Sequence, residues 1–238
     1  MIMNTGPPML LIFFCATLLA TAAALLRMNS RRILFPLLAW LALTGALARF
    51  QFFAEVQRLP PFIAIAIITA TVAAIKRSPS VPLTWLIGYQ AFRIPVEIFL
   101  HLGYQAGFVP VQMTWEGRNW DILTGLTALP VAWLAHRNQL PNWAAQIWNI
   151  AGFALLLNIM SIAILSLPTP LRQFHNEPAN TFVTQLPYVW LPAVLVPAAW
   201  FGHIALFRRR RLNPANTAKP IAAIPTEPGS GIAFADTW

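Results

Sequence analysis

Ionisable side chains recur at one-turn intervals within an otherwise apolar segment of this sequence. Arg93, Glu97 and His101 follow Gln90 at steps of three or four residues. On a helix these four positions lie at about 0°, 300°, 340° and 20°, so they share one face. Charged groups are costly at membrane depth and usually mark a functional site there. This face is therefore the first candidate for chemistry.

A dense polar run follows at 116–121, which reads Glu-Gly-Arg-Asn-Trp-Asp. The apolar segment after it, 122–135, is shorter than the ~17 residues that a crossing helix needs. We expect it to draw in either Trp120 and Asp121 from the outer side or His136 and Arg137 from the inner side. The first option places Asp121 at about the depth of His101. The two segments are joined by a short connection and should be neighbours. The predicted buried ionic site, near the outer side, comprises Arg93, Glu97, His101, Glu116, Arg118, Asn119 and Asp121.

The predicted role of this site is to bind a small polar or anionic group through Arg93 and Arg118. The acidic and imidazole side chains would orient those cations or carry protons. Simpler roles compete with this hypothesis. Arg93 and Glu97 are spaced i and i+4, so their whole role could be to neutralise each other and tie helices together. Asp121 or Asn119 could cap the next helix, and Glu116 with Arg118 could be a solvated pair.

Metal binding is a further hypothesis for the same region. Glu97, His101 and Asp121 are the candidate ligands, with Glu116 and His175 as additions, because mixed carboxylate and imidazole sets suit Zn, Mn or Fe. The sequence contains no HExxH or multi-histidine motif that would support a metal.

The remaining reactive residues indicate no cofactor. His136 and His203 are expected near the cytoplasmic helix ends, in interfacial or capping roles, and no histidine pair indicates haem. Lys76 and Lys219 lie outside the apolar segments, which excludes a retinal Schiff base. The lone Cys15 allows no intrachain disulfide. The sequence therefore specifies neither a cofactor nor whether the protein is an enzyme.

Composition places the chain in the membrane class. Of its 238 residues, 58% are hydrophobic and 10% are charged, whereas soluble domains carry about 25% charged residues. Apolar segments approach the ~20 residues of a bilayer span at 9–26, 33–48, 60–75, 81–103, 122–135, 143–167 and 186–207. We therefore predict an all-α polytopic membrane protein, with one seven-helix domain over residues 1–211.

Basic residues predict the orientation of these spans. Arg27, Lys76, Arg137 and the run 208–211 follow the odd-numbered spans, while the opposite loops mix arginine with acidic residues. The positive-inside rule then places the N-terminus outside and the C-terminus in the cytoplasm. This distribution explains the net charge of +9 better than nucleic-acid binding does. The proline-rich segment 212–238 is predicted to be a disordered cytoplasmic tail.

Two central motifs carry a resemblance. The run FRIPVE at 92–97 and the run MTWEGRNWDILTG at 113–125 resemble a group of uncharacterised bacterial multi-span membrane proteins. The resemblance covers only this central segment. It implies a multi-pass protein of the bacterial inner membrane, and it carries over no reaction, ligand or catalytic residue.

Three functions compete with simple ligand binding. A membrane-embedded enzyme, metal-dependent or not, would use the acidic and histidine side chains on a lipid or lipid-linked substrate. A proton-coupled transporter would need polar groups that continue toward the cytoplasm, where the fourth span offers only Tyr89, Trp85 and Thr84. A structural assembly subunit would need only the Arg93 and Glu97 pair. Membrane lipids are the expected partners, and the sequence indicates no oligomeric state.

Overall fold

Every regular element in the described part of the chain is helical, which confirms the all-α prediction. The computed structural model describes residues 7–29, 33–77 and 81–212. The helices are α1 (Pro8–Asn29), α2 (Leu34–Arg49), α3 (Leu59–Arg77), α4 (Leu83–Gly88), α5 (Arg93–Gln105), α6 (Ile122–His136), α7 (Asn142–Leu165) and α8 (Val196–Leu212). Residues 213–238 of the predicted tail, and Arg31 and Arg32, which follow the first predicted span, lie outside the described residues.

Prolines determine where several helices begin. Pro82 and Pro141 immediately precede α4 and α7, where a missing amide hydrogen removes no helical hydrogen bond.

The predicted fourth span, 81–103, is not one regular helix. It consists of α4, a 3₁₀ segment (Tyr89–Phe92) and α5, because Pro95 cannot donate to the carbonyl of Ala91 and so lies in the first turn of a new helix. Regular α-helical structure is thus interrupted just before Pro95.

The last span contains a similar irregularity. A π-helical turn (Leu191–Leu195) precedes α8, and Pro197 cannot donate to the carbonyl of Ala193. That carbonyl accepts a hydrogen bond of 3.0 Å from the Trp40 indole instead. In return, the Trp190 indole donates to the carbonyl of Leu41. Two tryptophans therefore fasten α2 to the broken start of the last span.

The helix α8 forms the centre of the bundle. Over 18 residues of the stretch Leu191–Arg209, 72% are buried, against 17–28% over the same length in the long apolar stretches of α1, α3 and α7. The helices α3, α4 and α7 pack against α8, while α1 packs on α5 and α6 packs on α4. Three of the other helices, α3, α4 and α7, therefore direct one side toward α8.

Two apolar clusters lie above and below the middle of the bundle. Toward the ends of α5 and α7 that meet the 106–121 loop, the core is aromatic and includes Phe14, Phe99, Phe108 and Tyr188. Toward the opposite end it is aliphatic and includes Leu86 and Ile87, which are fully buried. The buried polar residues of α5 and α8 lie between these clusters.

The outer surface of the bundle is apolar, as lipid contact requires. Within the described residues, four stretches are long and apolar enough to cross a membrane: Pro8–Met28, Val56–Lys76, Asn142–Leu165 and Leu191–Arg209. The helices α2 and α6 are apolar but shorter. These features suggest a membrane protein. The presence of seven spans and their orientation remain predictions.

The connection between α5 and α6 folds inward over one end of the bundle. Within it, Val109, Met113, Thr114 and Asn119 are buried. The Gln112 side chain donates to Ser166 Oγ at 2.9 Å, which ties the loop to the end of α7. The loop after α7 is closed by Arg172, whose hydrogen bond lowers the pKa of the exposed Glu177 carboxyl.

Gly152 permits α7 to approach α6 and α8 closely, which generates a prediction about stability. A Cβ at this position would lie 2.8 Å from both the His203 ring and the Thr124 methyl group. We expect Gly152→Ala to lower the free energy of unfolding by about 1–3 kcal/mol, the usual cost of overpacking. Denaturant unfolding in detergent micelles measures this value. Ala151→Leu, on the exposed side of the same helix, is the control and should have little effect.

Candidate functional site

A buried ion pair between α5 and the start of α6 lies at the centre of the candidate site. Arg93 Nε is 2.8 Å from Asp121 Oδ2, and the two residues are only 2% and 5% exposed. Gly125 makes this possible, because a Cβ there would lie 2.9 Å from the Ile94 side chain and so keep α6 away from α5. Of the two options for the short segment 122–135, the structure shows the one in which Asp121 lies inward.

The pairing excludes two simpler roles proposed from the sequence. Arg93 pairs with Asp121 rather than with Glu97, its neighbour at i+4. Asp121 is the residue before α6, but its side chain makes no capping hydrogen bond. Its backbone N–H instead donates to Asn119 Oδ1 at 3.1 Å. The capping role is therefore wrong for the Asp121 carboxylate, which is committed to Arg93.

Asn119 connects this pair to the second acid. Its amide nitrogen donates to Glu97 Oε2 at 2.6 Å and to the carbonyl of Met113 at 2.9 Å. Glu97 and Asn119 are essentially fully buried. The amide thus holds the Glu97 carboxylate next to the ion pair and fixes the inward fold of the loop. Asn119 links Glu97 to Asp121, as the predicted convergence of the two segments requires.

The opposite side of Arg93 meets a histidine that the sequence placed elsewhere. Arg93 Nη1 is 3.3 Å from His203 Nε2, and it also reaches the carbonyl of Gly152 at 3.4 Å. His203 Nδ1 is in turn 2.8 Å from Asn149 Oδ1. The prediction of an interfacial or capping role for His203 is wrong, because this residue is fully buried. Only the packing of α8 against α5 reveals the contact.

Two further residues extend the polar layer toward α8. The Gln90 amide donates to the carbonyl of Ala199 at 3.1 Å, and the Tyr89 hydroxyl donates to the carbonyl of Ala198. Gly202 provides the space, since a Cβ there would lie 2.4 Å from both side chains. Gln90, Arg93 and Glu97 are all buried, so the polar face predicted for the fourth span is confirmed at these positions.

A cavity of about 100 Å³ borders the ion pair. Arg93, Glu97, Asp121 and Asn180 form its polar wall, and the rest of its lining is apolar. Arg93 Nη2 and Asp121 Oδ1 have no hydrogen-bond partner in the described protein, although both atoms are buried. A cavity of this size accommodates several water molecules or one small polar group. The ion pair can therefore offer one free donor and one free acceptor, and Asn180 Oδ1, on the same wall, is a second acceptor without a partner.

The apolar side of this cavity reaches the bundle surface. Its lining includes Ile63 of α3, and Met160 and Ile164 of α7. Ile164 is 48% exposed, and both helices pack on α8 rather than closely on each other. The cavity thus lies over α8, between α3 and α7, with its apolar side next to the outward-facing surface.

The other predicted site residues form a separate group nearer the surface. The His101 ring stacks on Trp115 with the ring centroids 4.2 Å apart, and His101 Nδ1 is 3.4 Å from Glu116 Oε1. The exposed Arg118 side chain lies over the Phe174 ring, 5.4 Å from its centroid. His101, Glu116 and Arg118 do not line the cavity. Ligand contact at the cavity therefore falls to Arg93 alone among the predicted cations.

The described residues contain no cluster of ligands that would support the metal hypothesis. Across residues 7–29, 33–77 and 81–212, no group of three or more His, Cys, Asp and Glu side chains is arranged to hold a metal ion. Of the three candidates, Asp121 contacts Arg93, Glu97 contacts Asn119 and His101 contacts Trp115. The next candidate, His175, is exposed.

Comparison with known proteins gives a family but no activity. A family model described as a domain of unknown function (DUF8737) matches residues 50–211, more than half of the chain. This interval contains every residue of the ion pair, the Glu97 and Asn119 contact, and His203. No curated protein and no solved structure matches the chain.

The buried pair predicts a specific pattern of coupled stability. Arg93→Met or Asp121→Leu alone leaves one buried charge unpaired, which should cost about 3–5 kcal/mol of unfolding free energy. Replacing both residues removes both charges, so the double variant should recover most of that loss. Chemical denaturation in micelles provides the measurement. A double variant Arg93→Met/Glu97→Leu is the comparison, and equal recovery there would contradict the observed pairing.

Proposed function

We propose that this chain, which belongs to the family defined by the domain of unknown function DUF8737, is a membrane protein that binds an apolar molecule by a neutral polar head group. The head group occupies the cavity beside Arg93 and Asp121. The single observation that carries the proposal is a free donor and a free acceptor, both buried, on the polar wall of an otherwise apolar cavity.

The membrane placement rests on the helices and on their basic ends. The proposed protein crosses the bacterial inner membrane seven times, with α4, the 3₁₀ segment and α5 together forming one crossing of 23 residues (83–105). Arg27, Lys76, Arg137 and Arg208 lie at the ends that this topology assigns to the cytoplasm. Acidic residues are interspersed with arginine only in the opposite loops, as the positive-inside rule requires.

The head-group chemistry follows from the two free atoms. Arg93 Nη2 can only donate a hydrogen bond, and a carboxylate oxygen of Asp121 can only accept one. A hydroxyl group both donates and accepts, so one hydroxyl satisfies both atoms. An unpaired donor or acceptor in this buried surrounding costs free energy. A ligand whose hydroxyl pairs with Arg93 Nη2 and Asp121 Oδ1 removes that cost.

Charge favours a neutral head over an anionic one. The polar wall contains one guanidinium, that of Arg93, and two carboxylates, those of Glu97 and Asp121. Arg93 is already paired, and a further anion would meet two like charges at low dielectric. A cationic head would satisfy Asp121 but would face Arg93. Of the polar or anionic ligands that the sequence allows, the neutral polar class fits best.

The apolar part of the ligand follows from the remaining lining. Leu156, Met160 and Leu195 surround the space beyond the polar wall, and the cavity reaches the apolar surface between α3 and α7. A long-chain or isoprenoid alcohol would enter from the lipid phase through this side. The proposed ligand class is therefore a lipid alcohol.

The polar layer favours binding over ion conduction. Polar contacts continue from Arg93 through His203 to Asn149, further than the fourth span alone offered. Beyond them lies the aliphatic cluster that includes Leu86, Ile87 and Ala205, which separates the layer from the proposed cytoplasmic end. A transporter would have to open this cluster, whereas a binding site needs no such change.

The ligand class can be tested with three amphiphiles that differ only in the head group. Dodecanol, dodecanoic acid and dodecylamine are added to purified protein in micelles, and affinity is obtained from the shift in unfolding temperature. We expect dodecanol to bind most tightly. Arg93→Lys replaces the three guanidinium nitrogens, Nη2 among them, by a single ammonium and should weaken dodecanol binding about tenfold, the equivalent of one charged hydrogen bond.

Matched filling variants separate this site from general detergent effects. Met160→Trp adds bulk at the cavity, and Leu157→Trp adds the same bulk at an exposed position of the same helix. Dodecanol stabilisation should disappear in the first and persist in the second. Preferential binding of the acid, or dodecanol binding that survives Met160→Trp, would contradict the proposal.

The proposed topology predicts which loops react with reagents outside the cell. In a Cys15→Ala background, His175→Cys lies in an exposed outer loop and Gln139→Cys lies in an exposed inner loop. A membrane-impermeant maleimide should label the first variant in intact cells and the second only after permeabilisation. The reverse pattern would invert the orientation, and labelling of both in intact cells would refute this number of crossings.

A further inference from the structure

A second, larger cavity lies on the other side of α8, away from the ion pair. Its volume is about 370 Å³, within the roughly 300–1,000 Å³ typical of small-molecule sites. Residues of α8 and the π-helical turn form its floor, and α2 and α3 form its walls. The lining is apolar except for Thr69 and the Trp40 indole, whose N–H is already bonded to Ala193. We call this space the α2–α3 groove.

Small side chains on two elements keep the groove open. On α3, Ala66, Ala70 and Ala73 follow one helix face. Across the floor lie Ala193 and Ala198. Between Ile65 and Ala73 the groove follows α3 for about 12 Å, at 1.5 Å per residue. Its shape is therefore long, narrow and apolar.

Exposed basic residues of α1 and α3 follow the lining residues at one end of the groove. Lys76 follows the lining residue Ala73 by three positions, about one turn along the same side of α3. Arg27 follows the lining residue Leu25 by two positions, at the same end of the bundle but on another side of α1. Both side chains are exposed. The sequence has no Asp or Glu before Glu55 or between 56 and 96. The cations at this end therefore have no acidic neighbour on α1, α2 or α3.

We propose that the α2–α3 groove binds one anionic phospholipid, with an acyl chain along the groove and the phosphate against Arg27 and Lys76. Such a lipid has an apolar acyl chain that ends in a charged head group. The groove matches this order, because an apolar channel is followed by exposed cations. Membranes attract basic residues next to a span by about 1 kcal/mol each, which is about a fivefold preference per cation. This site shares with the lipid-alcohol site only the membrane placement.

The test uses full-length protein in nanodiscs of equal parts phosphatidylglycerol and phosphatidylcholine. Lipids retained after transfer to mild detergent are counted by native mass spectrometry. We expect one retained phosphatidylglycerol on the unaltered protein. Arg27→Gln/Lys76→Gln should reduce the preference for phosphatidylglycerol over phosphatidylcholine by about twenty-five-fold, two steps of about fivefold. The matched control is Arg137→Gln, an exposed arginine at the end of α6, which should leave the preference unchanged.

A filling variant tests the groove itself. Ala70→Phe should abolish retention of both lipids, while dodecanol binding at the other cavity reports that the bundle is intact. If dodecanol binds neither the unaltered protein nor Ala70→Phe, unchanged helical circular dichroism and an unchanged unfolding temperature show that the bundle of the variant is intact. A failure of the lipid-alcohol proposal therefore leaves the test of the groove valid. An unchanged lipid count in Ala70→Phe, or an unchanged preference in the double glutamine variant, would overturn the inference. A dimer that dissociates in Ala70→Phe would also overturn it, since a second copy would then fill the groove.

Discussion

The contact between Arg93 and Asp121 is the constraint on which the rest of the bundle depends. A guanidinium among apolar helices cannot exchange its hydration for lipid, so the protein must supply a counter-charge and acceptors. Asp121 supplies the charge, the carbonyl of Gly152 supplies an acceptor, and His203 lies against the same nitrogen. Since these groups come from three different helices, the pair also determines how α6, α7 and α8 are placed around α5.

Irregular backbone follows from the same requirement. In a bundle surrounded by lipid, every break in a helix must have its polar groups satisfied from within. The break at Pro197 is satisfied by the Trp40 indole, which bonds to the free carbonyl of Ala193. The inward loop after α5 is held by Asn119, which bonds to Glu97 and to the backbone of Met113. Breaks in regular structure thus coincide with the places where helices are cross-linked.

The two cavities differ because of what borders them. The one beside Arg93 has buried polar atoms that protein neighbours leave unsatisfied, and for this reason the ligand that we propose for it forms hydrogen bonds. The α2–α3 groove has no such atoms in its wall and has cations only beyond its end, and for this reason the ligand that we propose for it is apolar with a charged terminus. Both lie against α8, on opposite sides of the helix that is itself the most buried.

The sequence by itself determined the helical class, most helix limits and half of the site. Hydrophobic segments locate helices because burial in lipid or core depends on local composition, and helical phase placed Gln90, Arg93 and Glu97 on one buried face. The short segment 122–135 left open whether Asp121 or His136 and Arg137 would be drawn inward, and the structure buries Asp121. The sequence did not determine the partner of Arg93. Glu97 is four residues away along the chain and was an equally good candidate, whereas Asp121 meets Arg93 only in the folded protein.

Only the tertiary structure decided the remaining half. His203 and Asn149 are distant in sequence from Arg93 and reach it because glycines at 152 and 202 let three helices approach. Arg118 and His101 belong to the same sequence motifs as the buried residues, yet the fold places them outside the cavity. Periodicity specifies which face of a helix is buried, but packing between helices specifies which buried groups meet.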